Sequence, residues 1–253
     1  MSTEQPAVLT ERRDNVLVIT LNRPEARNAV NLALAEGIAA GLDELDGDDG
    51  LSAGVITGAG GYFSAGMDLK AFVTGERPWV GDRGFAGIVQ RAARKPLIAA
   101  VEGFAVAGGF EVALACDLIV AAQGAKFGVP EVKRSLVAAG GALLRLPQRM
   151  PYDTAMELAL TGDTITAERA AELGVVNRLT DVGGALELAA AISKNAPLAL
   201  IASKEVLQKQ RDWDADEFWA KQGEITGPVF TSEDAQEGAK AFAEKRPPVW
   251  RGR

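Results

Sequence analysis

The 253-residue chain contains no histidine. That absence removes Ser-His-Asp and Cys-His nucleophilic machinery and every His-ligated zinc or iron site. A general acid or base must therefore be Asp, Glu, Lys, Tyr or a thiol. Cys116 is the only cysteine, so no internal disulfide can form and nothing asks for an oxidising compartment. No apolar run is long enough to span a bilayer, and the opening MSTEQPAVLTERRDN lacks the basic-then-apolar order of a signal peptide. The expectation is a cytoplasmic protein with no membrane partner. Excess positive charge is missing too: 27 Lys and Arg against 34 Asp and Glu leave a net −7, which opposes nonspecific binding to nucleic acid or anionic lipid. An anionic ligand must then be held locally, by a few cationic side chains and by backbone N–H groups.

What is present is apolar material, 47% of the residues, enough for one large domain or one with a small appendage. Val16 to Leu21 (VLVITL) is a continuous β-branched and aliphatic run closed by Asn22-Arg23-Pro24, which predicts a buried strand. Leu34, Ile38, Leu42 and Leu45 mark one face of a helix that ends in the Asp46 to Gly50 cluster. Val55 to Thr57, the LIAAVEG stretch after Pro96, and Asp117 to Ala122 predict further strands, and their alternation with helix indicates an α/β core. The glycine- and proline-rich segment from Ala71 to Gly87 is expected at the surface as a substrate-shaping lid, with Trp79 and Phe85 as candidate acyl contacts.

Beyond Pro151 the pattern turns helical. Helices are expected over Tyr152 to Leu160, Ala167 to Leu173 with Thr166 as N-cap and Gly174 as stop, Ala185 to Asn195, Leu198 to Arg211, Ala215 to Gln222, and Glu233 to Lys245. Trp213, Phe218, Trp219, Phe230 and Phe242 in this last third either pack on another subunit or form an ordinary intrachain helix core.

The stretch AVAGGFEVALACD, Ala105 to Asp117, sets one carboxylate, Glu111, in a run of small and apolar residues. If the run is a buried helix, an ionised Glu111 costs several kcal/mol unless it is paired or protonated. Otherwise Glu111 sits on an exposed face or caps the helix N-terminus after Gly108 and Gly109, where negative charge is favourable. Two glycine-containing breaks lie close to this question. Phe63 to Leu69 (FSAGMDL) and Gly108-Gly109 can both turn free N–H groups towards developing negative charge, and two such groups on one oxygen form an oxyanion hole. A second carboxylate, Glu131, follows in FGVPE, and two carboxylates facing one pocket can divide acid and base roles. Thr57-Gly58-Ala59-Gly60 has part of a dinucleotide-binding loop but lacks the third glycine and the acidic residue about 20 positions on.

Ala105 to Asp117, Phe63 to Leu69, Phe127 to Val132 and Gly140-Gly141, with the NRPEARNA turn at Asn22 to Ala29 and Phe230 to Arg246, together resemble the enoyl-CoA hydratase/isomerase (crotonase) family over nearly the whole chain. The resemblance implies an α/β fold with a spiral of ββα units in residues 1–195. It also implies a C-terminal helical region, residues 196–253, that trimerises and often stacks into a dimer of trimers. The implied substrate is an acyl-CoA thioester, with no metal and no cofactor beyond the CoA of the substrate. The implied reaction is addition or removal of water across the 2,3 double bond. In the family pattern, Glu111 orients and deprotonates water, and Glu131 donates a proton to the α-carbon. The oxyanion donors are carried over as the N–H groups of Ala65 and Gly108. Arg27 and Lys70 would meet CoA phosphates, with Ala29, Gly66, Met67, Asp68, Leu69 and Gly109 along the substrate path, and Phe242 and Lys245 reaching a neighbour's CoA.

The GGALLRLP stretch departs from the Pro-Gly-Ala-Gly-Gly and Thr-Gln-Arg-Leu pattern of many β-oxidation hydratases and is more similar to the carnitinyl-CoA dehydratase branch. A different acyl pocket is expected. Another family reaction, such as carnitinyl-CoA dehydration or enoyl-CoA isomerisation, and non-catalytic acyl-CoA binding stand as alternatives.

Overall fold

The computed structural model describes residues 5–253. Strand β1 (Val8–Arg13) turns back antiparallel onto β2 (Val16–Leu21), and α1 (Leu32–Gly47) crosses to β3 (Ala53–Gly58), which runs parallel to β2. A short helix α2 (Leu69–Val73) and a two-stranded ribbon, β4 (Trp79–Val80) with β5 (Gly84–Phe85), precede β6 (Leu97–Val101). The chain then makes β7 (Phe104–Val106), α3 (Gly108–Ala115), β8 (Leu118–Ala121) and β9 (Lys126–Gly128). Next come α4 (Ala142–Arg149), α5 (Tyr152–Thr161), β10 (Thr164–Thr166), α6 (Ala167–Glu172) and β11 (Arg178–Leu179). Four helices complete the chain: α7 (Val182–Ile192), α8 (Pro197–Lys209), α9 (Phe218–Phe230) and α10 (Glu233–Glu244). Among the described residues, no single helix is long and apolar enough to cross a membrane.

The main sheet has the order β1-β2-β3-β6-β8-β11, parallel except at β1. Its central strands read as unbroken apolar runs because both faces are covered. Leu17, Ile19, Ile56, Ala99 and Ile119 face a core shared with α1 and α3, whereas Val16, Val55, Ile98, Ala100 and Val120 meet Ala185, Leu188 and Ala189 of α7. A second sheet, β10-β9-β7, is extended by isolated parallel bridges from Ala105 to Ser64 and from Met67 to Val30. This row of short pairings, antiparallel between β10 and β9 and parallel in the rest, gathers the loops that carry the site.

The expected strands and the helix bearing Glu111 are present, and Thr166 caps α6 by accepting the Arg169 N–H. Two expectations are corrected. The Ala71–Gly87 segment is not at the surface throughout: Arg83, Phe85 and Ala86 are buried, because Gly84 and Gly87, at φ +71° and +68°, fold the chain back against α1. The expected Ala215–Gln222 helix is in fact Phe218–Phe230, and it continues through Gly223, Gly227 and Pro228. That helix buries none of its residues. Phe218 lies between Trp213, tilted at 56°, and Trp219, edge-on at 82°, yet Trp219, Phe230 and Phe242 are 75%, 80% and 87% exposed, so an intrachain core does not account for these three.

Candidate active site

Where β7 passes into α3, the chain must leave the second sheet and start a helix within two residues. Ala107 makes that junction at φ +51°, ψ −134°, a conformation that costs an alanine on the order of 1–3 kcal/mol. Helix α3 is buried along its whole length, and Glu111 in its first turn is only 4% exposed. The exposed-face reading is thereby excluded. Glu111 does not cap its own helix. Its Oε1 accepts the N–H of Ala142 at 3.1 Å, the first residue of α4, so α4 and α3 are joined through the carboxylate. A Cβ on Gly140 would lie 2.5 Å from Glu111 Oε2, so only glycine lets this loop approach so closely. Arg145 fastens the same loop by donating to the Val89 carbonyl at 2.6 Å and the Gly140 carbonyl at 3.4 Å.

Burial pushes the Glu111 pKa up to about 7; the Ala142 N–H works in the opposite direction and the charge of Glu131 adds to the rise. Glu131 stands in a short 3-10 turn, Pro130–Arg134, after β9. Burial raises its pKa also, with its own backbone N–H opposing. Its Oε2 is buried and has no hydrogen-bond partner among the described residues. Both carboxylates line one cavity of about 540 Å³. Burial favours the neutral form of both acids in one cavity, and the charge of Glu131 raises Glu111 further, so the proton affinity of Glu111 depends on the state of Glu131.

Backbone N–H groups complete the cavity, though not the pair expected. The Ala65 N–H is taken up by the Arg27 carbonyl at 3.0 Å, which removes Ala65 as an oxyanion donor. Gly66, at φ +89°, then turns the chain. The Gly66 carbonyl and the Asp68 N–H both bond Val30, so the Met67 N–H between them points away from that bridge. It meets no acceptor among the described residues, and neither does the Gly108 N–H. The two are neighbours: a Cβ on Gly108 would lie 3.4 Å from the Met67 nitrogen, and a Cβ on Gly66 would lie 2.8 Å from the Gly108 nitrogen. The unengaged N–H of this turn is therefore that of Met67 and not that of Ala65, and it lies beside the N–H of Gly108.

Arg27, Ala65, Met67, Leu69, Gly108, Glu111 and Glu131 are brought to this cavity, and Trp79 and Phe85 join them from the lid segment. Ala29, Gly66, Asp68, Lys70 and Gly109 do not line it. Asp68 is structural. Burial opposes its charge, yet the Ala71 and Lys70 N–H groups and the Arg23 guanidinium at 3.1 Å hold it below the usual carboxylate range. Gly109 serves packing, since a Cβ there would fall 2.4 Å from the Ser64 carbonyl oxygen. Lys70, Phe242 and Lys245 are exposed and away from the cavity of their own chain. Sequence reasoning missed Lys126 and Arg134, two further cations on the cavity wall beside Arg27. Lys126 opens the strand β9 and Arg134 ends the 130–134 turn beside Lys133, and neither position carries a local pattern that marks it. No group of three acidic or thiol side chains among the described residues could hold a metal ion.

A family model described as enoyl-CoA hydratase/isomerase matches residues 11–253. The enoyl-CoA hydratase EchA19 of Mycobacterium tuberculosis is 42% identical over 98% of this chain and 97% of its own length. The carnitinyl-CoA dehydratase of Salmonella arizonae is also 42% identical, over 95% of this chain and 97% of its own length. Among solved structures, an enoyl-CoA hydratase from Mycobacterium tuberculosis superposes with a TM-score of 0.96 at 57% identity, covering 98% of this chain and all of that one. A carnitinyl-CoA hydratase from Mycobacterium avium gives 0.78 at 44% identity, covering 99% of this chain and all of that one.

Proposed function

The chain belongs to the enoyl-CoA hydratase/isomerase family, and on that premise we propose that it is a hydro-lyase for acyl-CoA thioesters. The observation that carries this reading is the pairing of two carboxylates whose pKa values burial raises, Glu111 and Glu131, with two unengaged N–H groups, Met67 and Gly108, around one cavity. The thioester carbonyl oxygen accepts from Met67 and Gly108. Ionised Glu111 takes a proton from water as the water oxygen bonds to C3, and the electron pair of the 2,3 double bond moves onto the thioester oxygen as an enolate. Each donor on that oxygen contributes on the order of 100- to 1000-fold in rate. Protonated Glu131 then gives its proton to C2, and the carbonyl reforms. Glu111 then carries the proton taken from water and Glu131 is ionised, and return of a proton from Glu111 to Glu131 resets the pair, so that one shared proton serves the cycle, which runs backwards as dehydration. Arg27, Lys126 and Arg134 supply the positive charge suited to CoA phosphates.

The test is loss of the conjugated enoyl-thioester absorbance when the purified protein meets 2-enoyl-CoA compounds, or its gain from 3-hydroxyacyl-CoA compounds. Turnover supports the reading; silence with CoA ligands still bound overturns it.

The chain acts as a homotrimer or a dimer of trimers in this proposal. The exposed apolar side chains of Trp219, Phe230 and Phe242 on α9 and α10 support burial against a second copy. Removal of residues from Phe230 onward should lower the sedimenting mass to that of smaller assemblies, and an unchanged assembly state refutes the trimer.

A further inference from the structure

Helix α4 carries two arginines one turn apart, and both reach back to carbonyls outside their own helix. Arg149 donates to the Leu114 carbonyl at 3.0 Å and the Cys116 carbonyl at 2.7 Å, which pins α4 to the end of α3. Arg145 turns the other way. Its guanidinium folds over Gly141, where φ +103° and the missing Cβ leave room, and meets the Gly140 carbonyl at 3.4 Å and the Val89 carbonyl at 2.6 Å. Val89 belongs to a turn in which the Ile88 and Val89 N–H groups donate to the Phe85 carbonyl, each at 3.3 Å. The Phe85 ring in turn rests on Gly108, since a Cβ there would lie 2.6 Å from two ring atoms. One guanidinium thus joins the segment that packs Phe85 on Gly108 to the loop, Gly140 to Ala142, that closes on Glu111. Arg145 does not line the cavity, so anything it does for a bound substrate passes through other residues.

We propose that Arg145 is a positioning residue: it holds the Gly140 loop against Glu111 and, by its fixed positive charge, keeps that carboxylate ready to accept the proton of water. The inference rests on the hydro-lyase reading of the cavity and deepens it. Burial is the chief reason why Glu111 holds its proton; the backbone of Ala142 and Gly140 and the charge of Arg145 oppose it, and the charge of Glu131 adds to it. The other charged side chains around the cavity are Arg27, Lys126 and Arg134. At the far end of α3, Cys116 is a neutral thiol, pushed up to about 12 by burial. Arg145 differs from the three wall cations in lying outside the cavity, where CoA phosphates cannot claim it. Burial opposes its own charge and Glu111 supports it, but a guanidinium stays protonated at any working pH.

The experiment compares Arg145→Gln, which removes the charge, with Arg145→Lys, which keeps the charge and loses the fork, both in the full-length protein. It reads kcat, KM and the acid limb of kcat/KM for hydration of a 2-enoyl-CoA. It also follows the Glu111 carboxyl carbon through a pH titration by NMR, a signal assigned by its loss in Glu111→Gln. Arg149 still pins α4 in both variants, and KM should stay within a few-fold of the parent protein because Arg145 does not line the cavity. Hydration needs ionised Glu111, so a carboxylate that holds its proton more tightly moves the acid limb to higher pH. In Arg145→Gln, kcat should fall about 100-fold. The limb and the NMR titration should both rise by about half a pH unit, less than the effect of a direct ion pair. In Arg145→Lys, kcat should fall about tenfold with the limb in place. Parent-like kcat in both variants, or a limb and titration that stay put in Arg145→Gln, overturns the proposal. If Arg145→Gln does not fold, Arg145→Lys decides, and parent-like kcat or a displaced limb there overturns it. A displaced Glu111 titration in a protein without enoyl-CoA turnover sinks the hydro-lyase reading and keeps the hold of Arg145 on Glu111.

Discussion

Glu111 and Glu131 face the same cavity from two regions built in different ways. The first turn of α3 is buried on every side, and its carboxylate is held by an amide from a separate helix, Ala142 of α4. The 130–134 turn buries none of its residues fully; it is opened by Pro130 and closed by Ser135 at φ +55°, and one oxygen of its carboxylate has no partner among the described residues. A carboxylate fixed by a neighbour's amide is suited to orient water reproducibly. One with an unengaged oxygen is suited to hand a proton to carbon and recover it. The difference teaches that two identical side chains at one cavity can be fitted for the different tasks proposed for them by the backbone around each.

The largest effect should come from removing the proposed proton donor. Glu131→Gln keeps the shape of the turn and should lower turnover roughly 100- to 10,000-fold, with CoA-ligand affinity within a few-fold. Unchanged turnover would erase the contrast between the two regions.

A smaller but sharper effect concerns the fixed partner. Gly140→Ala forces the loop or the Glu111 carboxylate to move, because the new Cβ would sit 2.5 Å from Oε2. A displacement of that kind should cost on the order of 100-fold in kcat. Steady-state kinetics that match the parent protein would show that the carboxylate is not held where its neighbours place it.

The smallest effect is on stability and has a definite sign. Glu111 keeps its proton up to about 7 in the folded chain, against an ordinary value of 4.5. The folded state therefore binds this proton more tightly than the unfolded state does. Its contribution to stability is present below the unfolded value and is lost as pH rises through about 7. Glu111→Gln should accordingly stabilise the fold by as much as about 3 kcal/mol at pH 8 and by little at pH 4. Denaturant titrations at the two pH values measure this, and a pH-independent difference would mean that the burial of Glu111 is not costly.

Much of this architecture was legible in the sequence for a simple reason: β2, β6 and α3 are buried on both faces, so their sequences are continuous apolar runs. β1 was not, since its residues are mostly exposed and the VLTERR stretch carries no apolar stripe. α4 is obscured by Pro147 within it, and α9 by Gly223, Gly227 and Pro228. Of the site, the acidic side chains could be found because carboxylates are conspicuous among apolar neighbours. The direction of an amide could not. Whether Ala65 or Met67 presents its N–H depends on which of them meets Arg27 and which lies opposite Val30 in a bridge, and those partners lie more than thirty positions away.

The contact of Gly66 with Gly108 has one more consequence. The separation of the two N–H donors is set where backbone meets backbone, with no side chain between them. Substitutions elsewhere in the cavity can therefore reshape what fills it without altering how an oxygen is gripped. Such a frame separates the proposed grip on the oxygen from whatever shapes the rest of the cavity, and it concentrates the positions that tolerate no side chain at two glycines.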